Sequence, residues 1–243
     1  MRKLYFIFIS LIFYSCIQST DSNNENISKK INYKAIILID SSDYELIYGI
    51  DSSTQYSMHH PLAISMIKDT IELSYGYKNQ FNPFFKYDFE FTYKRMNKNN
   101  IELYIDTSKT ISNNNPTPPD PRYKKKPKSY YSHPLYIRNL SKDTINIGYG
   151  DYISVLYEAK DSLGNWKEIE KPFIYMCGTG LNNTILPPDY ICITSAHIPK
   201  GNYNTKLRIK TINNSPKYEM YSNEFEGSIN YTQFVKKNKN SKN

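Results

Sequence analysis

The chain has 243 residues, enough for one large domain or two small ones. Lys and Arg number 31 against 23 Asp and Glu, but nine of the 31 fall in two short runs (Arg122, Lys124, Lys125, Lys126, Lys128; Lys236, Lys237, Lys239, Lys242) and two in the first three residues, which leaves 20 against 23 elsewhere. A nucleic-acid binder spreads its cations over a folded face, so this distribution argues against that class and leaves the runs as a solvated linker and tail, or as contacts for an anionic glycan or phospholipid headgroups.

Arg2 and Lys3 precede an uncharged stretch, "LYFIFISLIFYSCIQST", whose strongly apolar part covers residues 4–17. A helix crossing a bilayer needs about 20 apolar residues, whereas a secretory leader needs a positive start and an apolar run of roughly 7–15. The stretch meets the second requirement. Phe13, Tyr14 and Ser15 are a poor match to the small residues of an ordinary cleavage site. Ser15 directly before Cys16 resembles instead the lipobox of bacterial lipoproteins, in which a small residue precedes a cysteine that is then diacylated. Phe13 and Tyr14 depart from the commoner Leu and Ala or Ser. The resemblance covers the first 16 residues. It implies a signal peptide at 1–15 and Cys16 as the lipidated first residue of the mature chain. Two or more acyl chains make a stable membrane anchor where one does not. Ile17, where retention at the inner membrane tends to use Asp, implies residence at the outer membrane, on its periplasmic or surface face. The alternatives are an ordinary cleaved signal and an uncleaved helix.

Residues 16–31 are polar and aperiodic and read as a flexible tether. From 32 to 107 the pattern is that of an N-terminal β domain. "KYDFEFTY" places Tyr87, Phe89, Phe91 and Tyr93 on one face, and "IELYI" places Ile101, Leu103 and Ile105 likewise, so the two are expected to form a hairpin. "PLAISMIKDTIEL" is the best helix candidate, although its Ile and Thr content favours strands. Residues 108–130 hold five prolines and no apolar period, and a structureless loop of that length is uncommon within one domain. They read as a linker.

Strands resume over 131–235 and end before a basic tail at 236–243. "DSLGNW" is a turn whose geometry comes from Asp161 and Gly164. "YNTKLRIK" alternates Tyr203, Thr205, Leu207 and Ile209 inward with Asn204, Lys206, Arg208 and Lys210 outward. The expected fold is therefore all-β, with two antiparallel sandwiches. "NLSKDTINI", "LPPDY" and "PKGNYNTKLRIK" resemble the strand B and strand F region of immunoglobulin-like domains over about 100 residues. That resemblance implies an immunoglobulin-like second sandwich, with Tyr203 bonding back across the corner before strand F. Thr205 stands where the antibody-type cysteine would be. This half also resembles uncharacterised bacterial surface lipoproteins, which implies no activity.

Cys177 and Cys192 flank "GTGLNNTILPPDYI" in an exported chain, where a cysteine pair tends to close. A bridge would enclose about 15 residues and contribute roughly 3 kcal/mol by loop entropy. The alternatives are two buried free thiols, or strands whose cysteines face apart.

Few residues carry a chemical signature. His59 and His60 are adjacent, and neighbours in a strand face opposite ways. His133 and His197 are isolated, and no spacing matches a zinc site. No nucleophile elbow or phosphate-binding loop is present. Glu168 and Glu170 would share one strand face about 7 Å apart, as surface charges or as a carboxylate pair acting on sugars. Trp166 reads as a core ring beneath the turn or as a ligand-stacking ring. The 24 tyrosines follow from an AT-rich codon bias or form a sugar platform. No catalytic residue, metal or cofactor is expected. The expected role is non-catalytic binding, adhesion or structure at the envelope, with a membrane and an envelope protein or surface glycan as partners and no nucleic acid. The alternative is a glycan-binding or glycan-processing lipoprotein.

Overall fold

The computed structural model describes residues 31–42, 45–48, 55–56, 59–75, 83–86, 93–113, 128–150, 152–173, 182–212 and 219–234. The period-two segments of the sequence become strands: β1 (Ile37–Ile39), β2 (Glu45–Ile47), β3 (Gln55–Tyr56), β4 (Pro61–Met66), β5 (Thr70–Glu72), β6 (Phe85–Lys86), β7 (Lys94–Arg95), β8 (Ile101–Ile105), β9 (Ile111–Ser112), β10 (Lys128–Asn139), β11 (Ile145–Tyr149), β12 (Tyr152–Ile153), β13 (Val155–Lys160), β14 (Trp166–Glu168), β15 (Glu170–Lys171), β16 (Asn183–Leu186), β17 (Tyr190–His197), β18 (Tyr203–Thr211) and β19 (Phe225–Ile229). Among the described residues helical structure is confined to two 3-10 turns, Tyr33–Ala35 and Tyr231–Gln233. The helix candidate at 61–73 is β4 and β5.

β10 is the central strand. It pairs antiparallel with β17, from Ser132 opposite His197 to Arg138 opposite Ile191, and with β8, from Leu135 opposite Ile105 to Asn139 opposite Ile101. β4 adds to the far side of β17, and β9 and β2 continue along the start of β10. Pro134 lies within this strand, where a missing N–H would normally break a ladder. Its carbonyl accepts from Asp106, just past the end of β8, so the missing donor faces the turn between β8 and β9 and no ladder partner goes unmet.

Both faces of the β8–β10–β17–β4 sheet are covered. Ile101, Leu103, Ile105, Leu135, Ile137, Cys192 and Ile64 join the main core, with Ile145, Ile147, Val155, Tyr157, Leu207 and Ile209 from the second layer. That layer comprises the sheet β14–β13–β18–β19 and the sheet β12–β11–β16–β6. On the opposite face Tyr136, Ile191, Ile193 and Leu62 pack under Tyr33, Ile36, Ile71 and Leu73, where β1 and β5 pair in parallel. A bulge sets the face of β4: Ile193 opposes Ala63 and Thr194 opposes Pro61, so Leu62 is the extra residue. The two residues of such a bulge point the same way, and Leu62 and Ala63 both pack in the second core while Ile64 returns to the first.

The expected boundary at 108–130 does not separate two bodies. Ile31–Asn243 group as one compact unit, and β8 and β4, from before the boundary, complete the sheet of β10 and β17, from after it. The described ends of that segment are themselves strands, because β9 is buried against β10; residues 114–127 lie outside the described set. So do residues 87–92, most of the expected "KYDFEFTY" strand, the expected signal peptide and all of the expected tether but Ile31, which packs against the second core.

Two turns and one clamp fix the layers. In the 161–165 turn Asp161 Oδ1 accepts from the N–H groups of Leu163 and Asn165, and Gly164 adopts φ 79°, as the sequence anticipates. Asn139 turns the chain into β11, donating to the Asp143 and Leu186 carbonyls and accepting from Ser141. The Asn223 side chain donates to the Ile105 carbonyl and accepts from the Ile105 N–H, at 3.0 and 2.7 Å, standing in for a strand at the outer edge of β8. Tyr203, expected to bond across a corner, instead packs its ring edge-on against Tyr231 and Phe234.

Candidate functional site

Two constellations stand out. The first is buried at one end of the sandwich. Ile169 donates its N–H to the Tyr157 carbonyl at 3.1 Å, and an antiparallel pair would return a bond from the Tyr157 N–H. That N–H goes instead to Oε2 of Glu170, at 2.9 Å. The chain therefore turns inward after Ile169 and carries the Glu170 carboxylate beneath the sheet. His59 Nε2 lies 3.3 Å from Oε2, and His197 Nδ1 lies 3.7 Å from Oε1. His59 Nδ1 is 3.0 Å from the Ser195 carbonyl, and the Tyr157 hydroxyl donates to the His197 carbonyl at 2.7 Å.

Burial alone would push the Glu170 carboxyl up. The charge and hydrogen bond of His59, then the charge of His197 and the Tyr157 N–H, outweigh it and hold the carboxyl below the usual carboxylate range. Burial, with the charge of Glu170, pushes the Tyr157 hydroxyl well up. The buried His59–Glu170 contact ties the strands around β4 and β17 to β13 and β15.

This corrects the expectation for Glu168 and Glu170. They do not share a strand face: Ile169 ends β14, Glu168 stays outside with Lys210 at 2.7 Å, and Glu170 goes inside. His60 faces Tyr152, away from its neighbour's cluster, and His133 Nδ1 donates to the Lys109 carbonyl at 2.8 Å. Among the described residues no group of three or more His, Cys, Asp or Glu is placed to hold a metal ion.

The second constellation covers the outer face of β14, β13 and β18. Arg208 directs Nε and Nη2 at Glu158 Oε2, at 2.8 and 2.7 Å. Its guanidinium carbon lies 4.1 Å from the centre of the Trp166 ring and 3.7 Å from that of Tyr221. Lys210 reaches Glu158 at 3.4 Å as well as Glu168; burial would lower its ammonium, and the carboxylates of Glu168, Glu158 and Glu219 more than reverse that. Lys160 lies 4.9 Å from the Trp166 ring centre and, with Lys206, meets Glu224. Trp166 is therefore an outward ring held by cations and not a core ring. The outward set Lys206, Arg208 and Lys210 is legible from the alternation of "YNTKLRIK". Its partners are not, because cross-strand register is not written in one strand.

Cys192 is a free, fully buried thiol on β17, packed in the main core, and burial pushes its thiol up. Its expected partner Cys177 and the expected lipidation site Cys16 lie outside the described residues. No protein-family model matches the chain, and neither a curated protein nor a solved structure matches it significantly.

Proposed function

We propose that the protein is a lipoprotein of the outer membrane, anchored through Cys16, whose all-β body has a non-catalytic binding, adhesion or structural role at the cell envelope. The observation that carries this reading is the sequence of the first 30 residues: two cations, a short apolar run, Ser15–Cys16, and then polar chain up to the folded body. The side chains that would serve acid–base chemistry support a structural rather than a catalytic role. Glu170 and His59 are 4 % and 2 % exposed, and a general base has to reach the proton that it takes.

Cys16→Ser tests the anchor. The variant is expected to lose incorporation of a fatty-acid label and to leave the membrane fraction. A variant that stays with membranes and still takes up label contradicts the anchor at this position.

A further inference from the structure

We propose that the outer face of β14, β13 and β18, centred on Trp166, Arg208 and Tyr221, binds a neutral glycan. The inference names a ligand class for the binding role above and does not depend on the lipid anchor.

The placement of Trp166 is the first argument. It is the only tryptophan of the chain, and it belongs to neither of the two cores, in which Ile and Leu predominate. Tyr221 is likewise outward, 41 % exposed. Rings of this kind offer an apolar body and a polar tip to a wet surface. Arg208 lies against both, and its own position is fixed by two hydrogen bonds to Glu158. The aromatic surface is therefore set before any ligand arrives, so little side-chain entropy is lost on binding.

Charge decides the ligand class. Lys160, Lys206, Arg208 and Lys210 meet Glu158, Glu168 and Glu224 on this face, and Glu219 accepts from the Tyr221 hydroxyl at 2.8 Å. These four cations and four carboxylates balance, and the exposed Glu226, opposite Lys206 in the register, adds a further negative charge, so the face does not attract a phosphate or uronate polymer. An ammonium has three hydrogens and a carboxylate about four lone-pair sites, so each paired group keeps capacity to spare. A sugar hydroxyl both donates and accepts, and its ring has an apolar C–H face. It can use the aromatic surface and the spare donors and acceptors together without separating an ion pair. The Tyr48–Tyr131 pair with Lys200 is a second outward aromatic surface, and it serves as the control.

The lone Trp166 makes the site readable by its own fluorescence. Full-length protein in detergent is titrated with neutral hexasaccharides (gluco-, xylo- and manno-configured) and with hexagalacturonate, and is screened in parallel on a neutral-glycan array. At least one neutral saccharide is expected to change Trp166 emission saturably, with hexagalacturonate inert. Tyr221→Ala is expected to weaken that binding about tenfold with its unfolding midpoint retained, while Tyr221→Phe and Tyr48→Ala bind as the parent does. No binding to any neutral glycan, equal or exclusive binding of hexagalacturonate, or binding that Tyr221→Ala leaves intact each overturns the proposal. None of these outcomes bears on the fatty-acid labelling of Cys16.

Discussion

His59 and Glu170 are 111 positions apart in the chain and 3.3 Å apart in the fold. They meet where water scarcely reaches, and the N–H of Tyr157 joins the Glu170 carboxylate to the ladder. Removing one member of a buried pair leaves an uncompensated charge, which costs about 3–5 kcal/mol. His59→Leu is therefore expected to lower the unfolding free energy from urea melts at neutral pH by about that much, seen as a lower midpoint. A midpoint within experimental error of the parent would show that the pair does not hold the layers together.

The same carboxylate sets an acid limit. Its folded-state pKa is below the ordinary value of 4.5, so the unfolded chain binds the proton more readily. The stability that Glu170 contributes is fully present above 4.5 and is lost as pH falls through the folded value. Urea midpoints measured from pH 6 to pH 3 are expected to fall more steeply for the parent than for Glu170→Gln, which has no such carboxyl to titrate. Parallel slopes would contradict this.

Gly148 and Gly201 are places where two backbones approach too closely for a side chain. A Cβ at Gly148 would stand 1.8 Å from the Tyr152 carbonyl oxygen, and one at Gly201 2.1 Å from the Ile229 carbonyl carbon. Gly148→Ala and Gly201→Ala are each expected to destabilise by at least 1–3 kcal/mol, the usual cost of forcing backbone apart (about this range). Gly164 has open space but a positive φ, so Gly164→Ala is expected to cost only about 1 kcal/mol. Thermal melts of the three variants check the order.

Asn223 replaces a neighbouring strand for Ile105. Asn223→Ala leaves the Ile105 N–H and carbonyl without that partner, and is expected to cost about 1–3 kcal/mol. Amide exchange reads it locally: the Ile105 N–H is expected to lose protection while amides in β18 keep theirs.

Cys192 tests the packing of β17. As a buried thiol it is expected to resist alkylation in the native protein and to react after unfolding without reductant. A peptide that joins it to Cys177 in a non-reducing digest would show a bridge instead.

The local pattern is legible wherever one face of a strand is more deeply buried than the other. Ile101, Leu103 and Ile105 enter the main core while Glu102 and Tyr104 take a half-buried face, and Leu207 and Ile209 alternate with the half-buried Arg208 and Lys210 in the same way. Asp161 and Gly164 announced their turn because few residues tolerate its geometry. What stayed hidden is non-local. Nothing near residues 108–130 says that β8 will pair across them with β10, and five prolines there resemble a domain boundary. Glu170 looked like the twin of Glu168 because period two holds only while a strand continues, and Ile169 ends this one. The Trp166–Arg208–Tyr221 stack needs three segments in register, which no single segment encodes.

The central claim is the anchor at Cys16, and mass spectrometry of the N-terminal peptide of protein isolated from its native membranes tests it most directly. The account predicts a peptide that starts at Cys16 with a diacylglyceryl group on sulfur. A peptide that begins at Met1, or at any residue after Cys16, with no fatty modification would contradict it.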